Sequence, residues 1–442
     1  MNLWRLVLAY IRRRPLSTLL VVLLLSLGVA TITLTLLVTT ELEARLHRDA
    51  AGIDLVVGAK GSPLQLVLAG VYHVDVPPGN IPLSAVAMLR ANPMIRAAIP
   101  LALGDSYRGF RIVGTEPPLV AHYGGTLAAG TLWRAPMDAV LGADVARAAT
   151  LAVGGTFAGA HGLGAGGGEH GDRPYRVVGV LAATGTVLDR LVLTSIESVW
   201  TVHDAAHGTP GGAADRQGGD APSDPDHDHA QQAGREAGHG ASFDERAPDR
   251  RAGGAAAAPS PPREVTLVLV RYASPVAAAS LPRAINKESA LVAASPAYET
   301  ARLLTVFGVG IDLIRAFAVL LVAASALMLF VALAQALEER RYDLAILRAL
   351  GARRAQVAFV LVAESLLLTA AGTASGLALA HGLVALAAAT VPQAAPLAAA
   401  PGRFGADEWV VVGLALAAGI LAASWPAWRA WRLDVAATLA DG

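Results

Sequence analysis

Histidine and aspartate are concentrated in one stretch, "DPDHDHAQQAGREAGH" at residues 224–239. Imidazole and carboxylate groups bind Zn²⁺ and other divalent ions, and His-rich tracts often collect such metals. His227, His229 and His239 are therefore candidate ligands for a loosely bound metal. The competing interpretation is a solvated polar loop whose histidines bind nothing, because this spacing does not preorganise a four-ligand structural site.

The sequence carries no recognisable catalytic motif. Cysteine is absent from its 442 residues, which excludes disulfides, thiolate metal sites and cysteine nucleophiles. The hydrolase and metalloprotease patterns G-x-S-x-G and H-E-x-x-H are absent as well. Lys60 in "VVGAKGSP" is followed by Gly61 rather than by Ser or Thr, so a phosphate-binding loop is not formed there. We therefore predict a non-catalytic chain.

A charged segment, "EERRYDLAILRALGARRAQV" at residues 338–357, stands between two long apolar runs. Its leucines Leu344, Leu347 and Leu350 recur at helical spacing, which predicts an amphipathic helix with one apolar stripe. Gly351 is the predicted helix stop, after which the chain restarts as a helix.

Two interpretations of this charged segment remain. It can be an interfacial helix whose arginines reach the lipid headgroups. Alternatively, it is a docking surface for a cytoplasmic partner. The mixed signs favour docking, since Glu338, Glu339 and Asp343 gain nothing from an anionic leaflet.

Four apolar runs are each long enough to cross a bilayer, which takes about 20 residues. We predict transmembrane helices at residues 16–38, about 316–337, 359–389 and 409–428. The first run is too long for a signal peptide and has no small-residue cleavage site after it, so we expect it to be retained. Tryptophans frame the fourth run as an aromatic belt.

Three residues of the third run are candidates for helix packing: Glu364, Gly372 and Gly376. An acidic group at the bilayer centre costs about 2.5–3.5 kcal/mol on insertion scales, so Glu364 is expected either to pack inside the bundle or to take part in coupling. The two glycines permit close helix approach. The pattern leaves open whether that approach lies within one chain or across a dimer.

Arginine indicates the orientation of the chain. It is concentrated before the first run, between the second and third runs, and after the fourth, whereas the 392–408 loop has only Arg403. With four crossings, all three arginine-rich flanks fall on one side, which predicts cytoplasmic termini and a cytoplasmic 338–357 segment. Residues 41–305 are then outside the cytoplasm. The net charge is zero, which gives no indication of a nucleic-acid partner.

The segment between the first two runs is long enough for a folded domain. Short β-type runs predict strands at Phe110–Gly114, Tyr175–Leu181, Leu191–Thr194 and Val265–Val270, and helical stretches lie near residues 84–91 and 275–294. We therefore predict a mixed α+β domain.

The first two transmembrane helices are predicted to continue outward through Leu42–His47 and Ala297–Leu304. Residues 203–263 have almost no large apolar side chains, which predicts a disordered insert within the outer domain.

The charged segment resembles a known family signature. FtsX/MacB/LolC-type ABC transporter permeases carry E-R-x-x-E-[IL]-x-x-L-x-A-[LI]-G-[AM] after their second span. The matching residues here are Glu339, Arg340, Leu344, Leu347, Arg348, Ala349, Leu350, Gly351 and Ala352, with Asp343 in place of the usual Glu.

The resemblance extends to the third span and the C-terminal tail. Glu364, Gly372 and Gly376 resemble the third-span pattern "E-x-x-x-L…G-x-x-x-G". The ending "PAWRAWRLDVAATLADG" resembles the family tail, with Val435 where Pro is usual. The resemblance covers both ends of the chain and all four spans, but it covers residues 120–263 poorly.

The resemblance implies one span at 16–38, a MacB-like outer domain at 41–305, and an FtsX-like permease domain at 306–442 after a cytoplasmic N-terminus at 1–15. It further implies that residues 338–354 form a coupling helix seated on a cytoplasmic ABC ATPase. The implied coupling residues are Glu339, Arg340, Asp343, Leu344, Leu347, Arg348, Leu350 and Gly351.

The implied partners follow from the same resemblance. The ATPase subunit would hold ATP and Mg²⁺, and the resemblance implies no cofactor bound by this chain. Zn²⁺ or another divalent ion at the His-rich insert is a candidate on composition alone. A second permease subunit, identical or different, is expected, with a periplasmic adaptor or substrate-binding protein as a further candidate. The expected location is the bacterial cytoplasmic membrane.

Three functions stay open from sequence. The leading hypothesis is a permease subunit that converts ATP hydrolysis by its partner into movement of the outer domain, for export or extraction of an unidentified cargo. A metal-linked cargo is one of the options left open. The alternative is an FtsX-like regulator of an extracytoplasmic hydrolase. The third is a stand-alone metal-binding membrane protein without an ATPase.

Overall fold

The computed structural model describes residues 3–162, 173–208, 263–390 and 404–432. The chain forms two compact units. One comprises Met1–Ala51 with Ala297–Gly442, and the other comprises Gly52–Pro296. The first unit is helical, and the second is a mixed α/β domain.

The helices in chain order are Leu3–Arg13 (α1), Pro15–Ala50 (α2), Pro63–Gly70 (α3), Leu83–Ala91 (α4), Pro118–His122 (α5), Ala143–Ala149 (α6), Ile196–Gly208 (α7), Ala277–Glu288 (α8), Pro296–Glu339 (α9), Arg341–Ala349 (α10), Arg354–Thr390 (α11) and Ala406–Trp431 (α12). A single 3-10 turn spans Val187–Arg190 among the described residues.

The strands in chain order are Leu55–Ala59 (β1), Ile81–Pro82 (β2), Ile95–Tyr107 (β3), Phe110–Gly114 (β4), Leu127–Gly130 (β5), Asp138–Leu141 (β6), Thr156–Phe157 (β7), Ala160–His161 (β8), Tyr175–Leu181 (β9), Leu191–Thr194 (β10), Glu264–Val265 (β11), Leu267–Tyr272 (β12) and Leu291–Ala294 (β13).

Among the described residues, four helices are long and apolar enough to cross a membrane: α2, α9, α11 and α12. They confirm the four apolar helices predicted from sequence. α2 has 36 residues and α9 has 44, so both are much longer than the roughly 20 residues that one crossing takes. Each runs without interruption through the segment expected to continue its span, Leu42–His47 in α2 and Ala297–Leu304 in α9.

Helix α11 is the centre of the helical unit and packs against α1, α2 and α12. One apolar cluster joins α2 and α9 to α11 and α12 through Val21, Leu333, Leu361 and Ala423. Close van der Waals packing of these side chains holds the helices together, because lipid provides no hydrophobic driving force between them.

The second unit is built on a mixed sheet with strand order β13-β1-β12-β3-β4-β10-β6-β9-β5. Its pairs are antiparallel except β4 with β10 and β6 with β9, which are parallel. Two apolar clusters lie on this sheet, one around Leu55, Val268 and Leu281, the other around Ile112 and Tyr175.

The predicted strands at Phe110–Gly114, Tyr175–Leu181 and Leu191–Thr194 are confirmed with the same bounds. Three predictions were wrong in extent. The predicted strand Val265–Val270 is divided between β11 at Glu264–Val265 and β12 at Leu267–Tyr272. The stretch 275–294 is not one helix, because α8 ends at Glu288 and Leu291–Ala294 pairs with β1 as strand β13. The insert does not begin at residue 203, because α7 continues to Gly208.

His73 lies in the second unit with a left-handed backbone, φ 56°. Removal of its imidazole from solvent lowers its pKa to about 3, and the nearby guanidinium groups of Arg111 and Arg190 act in the same direction. Arg111 is itself buried and donates a 2.8 Å hydrogen bond to the carbonyl oxygen of Asp75. His73 is therefore neutral at physiological pH.

A histidine whose pKa falls on folding weakens the fold as the pH drops, because the unfolded chain takes up the proton first. Between the unfolded pKa of about 6.5 and the folded value, this group should reduce the unfolding free energy by up to about 1.4 kcal/mol per pH unit. Asn tolerates positive φ without titrating. We expect the Tm of His73→Asn to depend less steeply on pH than that of the wild-type chain over this window. Identical slopes would contradict the assignment.

Candidate functional site

The candidate site is the turn between α9 and α11, residues 338–353, which we call the elbow. α9 ends at Glu339 and α10 begins at Arg341, with the backbone of Arg340 at φ −103° and ψ 5° between them. α10 ends at Ala349, because Gly351 adopts φ +99°, a left-handed conformation that favours glycine. The expected single coupling helix over 338–354 is therefore a short helix with a break at each end.

A buried ion pair anchors the first break. The Nη1 atom of Arg340 lies 3.1 Å from Oε2 of Glu364 on α11, and each side chain is only 9% exposed. The guanidinium carbon of Arg340 also lies 3.7 Å from the centre of the Tyr10 ring on α1. Removing one partner of a buried pair typically costs about 3–5 kcal/mol, since the other charge is left uncompensated.

Further ion pairs surround the same break. Arg14 pairs with Glu339, and Glu338 accepts hydrogen-bond-length contacts from Arg341 at 3.0 Å and Arg429 at 2.9 Å. These side chains are partly exposed, so each pair contributes at most about 1 kcal/mol. Together they connect the end of α9 to the start of α2, to α10 and to α12.

Close helix contacts lie further along α11. A Cβ atom built on Gly372 would lie 2.9 Å from Cδ2 of Leu25, and one on Gly376 would lie 2.7 Å from the carbonyl oxygen of Ser26. Both neighbours are on α2 of the same chain. These glycines therefore permit α2 and α11 to approach more closely than any larger residue would allow.

Comparison with protein families now identifies the class of this chain. Residues 18–215 match the MacB-like periplasmic core domain, and residues 315–435 match the FtsX-like permease C-terminal domain. The chain belongs to the FtsX/MacB-type permease family. Members of this family are membrane components of ABC transporters and generally carry no catalytic site of their own. The permease match includes the whole elbow and Glu364.

Two solved structures are similar to this permease. The periplasmic region of MacB from Actinobacillus actinomycetemcomitans is 12% identical, with 58% of this chain and 95% of that chain covered and a TM-score of 0.32. The extracellular domain of the ABC-type transporter YknZ from Gram-positive bacteria is 11% identical, with 55% and 98% covered and a TM-score of 0.28. No curated protein matches the chain.

The residues predicted to couple the permease to an ATPase lie on different faces of the elbow. Leu344 is buried against the bundle and Leu347 is partly buried. Leu350 does not continue that stripe, because the helix has ended and its side chain is 80% exposed. Asp343 is exposed, and Arg348 is partly buried.

The candidate metal ligands His227, His229 and His239 lie outside the described residues. Within the described part of the chain, no group of three or more His, Cys, Asp or Glu side chains is arranged to hold a metal ion.

Sequence reasoning missed Tyr10 as a site residue and treated Arg340 and Glu364 separately. Only a weak signal in the sequence could have indicated the role of Tyr10. α1 carries Val7 and Tyr10 three residues apart, and both are buried with Val360 and Ala363 of α11. An aromatic residue at that spacing indicates that it packs against another helix, but the spacing does not identify which cation lies against its ring.

We expect Gly376→Ala to lower the thermal stability of the permease, because the new methyl group must displace the backbone of α2. Overpacking of this kind typically costs about 1–3 kcal/mol. Gly382 on the same helix has open space around it, so Gly382→Ala should be neutral or slightly stabilising. Thermal unfolding of both purified variants measures the difference, and equal Tm values would contradict the close approach.

Proposed function

We propose that this chain is the permease subunit of an ABC transporter, with a separate cytoplasmic ATPase acting on the elbow. In this proposal both termini and residues 338–354 are cytoplasmic, and residues 41–305 form the extracytoplasmic domain. ATP binding and hydrolysis by the partner would move that domain for export or extraction of a cargo. A second permease subunit completes the assembly, and a periplasmic adaptor or substrate-binding protein is a further candidate partner.

The observation that carries the proposal is an exposed stripe on α10 and the residue after it. Tyr342, Ile346 and Leu350 follow one another at intervals of four, and they are 48%, 38% and 80% exposed. The opposite face places Leu344 and Ala345 in the bundle. A short helix with one face packed and the other apolar but uncovered is suited to docking in a groove of a partner.

The charges beside this stripe support a protein partner. Asp343 and Arg341 are exposed next to Tyr342, so the surface carries both signs. An anionic leaflet would attract only the cation. A protein groove can match both charges and cover the apolar side chains at the same time.

The helices offer a direct mechanical route from the elbow. α9 runs without interruption from Pro296 to Glu339, and strand β13 ends at Ala294, two residues before it. α2 similarly ends at Ala50, five residues before β1 begins at Leu55. In this proposal, movement at the elbow would be passed along α9 and α2, which are each joined to a strand of the other unit by a short connection.

Cysteine labelling can test the orientation, since the natural chain has no cysteine to interfere. We expect Val276→Cys to react with a membrane-impermeant maleimide added outside intact spheroplasts. Arg348→Cys should react only after the membrane is opened. Labelling of Arg348→Cys in sealed spheroplasts would show that the elbow lies outside the cytoplasm. A cytoplasmic ATPase could not then contact it, and the proposal would fail.

Leu350→Glu should weaken recruitment of the ATPase, because it places a charge at the most exposed apolar position of the proposed docking stripe. We expect at least about a tenfold loss of affinity, corresponding to about 1.4 kcal/mol. The measurement is the amount of ATPase that co-purifies with the tagged permease. Val276→Glu is the matched control, since Val276 is 74% exposed in the other unit. Equal recovery with wild type and Leu350→Glu would contradict docking at this stripe.

A further inference from the structure

The two ends of α10 are held very differently. At its start, Arg340 is 7% exposed and fixed by contacts to two other helices. At its end, Leu350 is 80% exposed, and a Cβ atom built on Gly351 would meet nothing within 4 Å. One end of the helix is therefore anchored and the other is uncovered.

The anchor is the guanidinium group of Arg340, which contacts the aromatic ring of Tyr10 and the carboxylate of Glu364 at the same time. Its carbon atom lies 3.7 Å from the Tyr10 ring centre, and Nη1 lies 3.1 Å from Glu364 Oε2. Tyr10 is 6% exposed and Glu364 is 7% exposed, so water is largely absent from both contacts. A planar guanidinium can stack on a ring and bind a carboxylate at once, which the compact ammonium of lysine does not reproduce.

The anchored residue also sets the start of α10. The carbonyl oxygen of Arg340 accepts the hydrogen bond from the amide of Leu344 at 2.9 Å. The residue whose side chain is fixed by Tyr10 and Glu364 is thus the one whose backbone begins the helix. Any rotation of α10 about its start must move this side chain against both partners.

One partner comes from a part of the chain that neither family match includes. α1 spans Leu3–Arg13, whereas the matches begin at residues 18 and 315. α1 is placed on α11 by its own packing, including an edge-to-face contact between Trp4 and Phe359 with ring centres 5.8 Å apart. The Tyr10 contact therefore belongs to a segment that the family domains leave unassigned.

We propose that Tyr10, Arg340 and Glu364 form a latch that fixes the start of α10 to α1 and α11. They are positioning residues for the transmission step, an inference that rests on the proposed function. With the latch closed, force on the exposed end of α10 passes into α9 and α11. With the latch open, α10 moves alone and the force is lost.

The test is hydrogen–deuterium exchange of the full chain in lipid nanodiscs. Tyr10→Leu removes the ring, Glu364→Gln removes the carboxylate charge, and Arg340→Lys keeps the charge without the planar group. We expect each to raise the exchange rate of the amides of residues 344–349 by at least about tenfold. Tyr10→Phe keeps the ring and should stay within about twofold of wild type.

Arg315→Gln is a second control. It removes an exposed arginine of the same helix α9, where Arg315 pairs with Asp312 at 3.5 Å. Exchange at 344–349 should not change in this variant. The latch is overturned if Tyr10→Leu exchanges like Tyr10→Phe, or if its faster exchange spreads equally through α11 and α12, which would indicate general loss of folding.

A second readout separates the latch from the proposed function. For an ATPase that co-purifies with the wild-type permease, Tyr10→Leu should retain binding but lower the permease-dependent change in ATP hydrolysis rate by at least about fivefold. A wild-type response in Tyr10→Leu overturns the positioning role. If no ATPase follows the wild-type chain, the proposed function fails, while the exchange data alone still decide whether the latch exists.

Discussion

A charge enclosed by apolar helices needs an opposite charge beside it, and the arrangement of the elbow depends on this constraint. Arg340 cannot reach water, because it lies between α1 and α11 with 7% of its surface exposed. Glu364 is equally enclosed on α11. Each would be costly alone, and together they fix where α9 ends relative to α11. The chain direction therefore changes at Arg340 itself.

In the helical unit, the helices whose positions are set by composition could be predicted from sequence. A bilayer crossing requires a long apolar run, so α2, α9, α11 and α12 could be recognised from their residues alone. The break at Arg340 could not, because helical periodicity continues across Glu339 and Arg341. The break depends on side-chain contacts with Tyr10 and Glu364, which come from distant parts of the sequence.

The strands of the α/β domain were also only partly predictable from sequence. Strand β4 was predictable because β-branched and aromatic residues stand between turn signals. Strand β3 was missed, since it contains alanines and Pro100, which lacks a ladder donor. Pro100 is nevertheless opposite Val268 in the sheet. Strand β13 is a four-residue apolar run, and periodicity cannot separate such a run from the end of a helix.

The elbow has a buried start at Arg340 and an exposed end at Leu350, and this asymmetry matters for the proposed transmission. A helix anchored at both ends would resist a partner, and a helix free at both ends would move without transferring force. α10 begins at the buried charge of Arg340, whereas Leu350 and Gly351 at its other end face open space. In the proposed function, force on Leu350 would act through the anchor on α9, a single helix of 44 residues. If the proposed function is correct, transmission from the ATPase would therefore depend on Tyr10 and Glu364 as well as on the residues of the docking stripe.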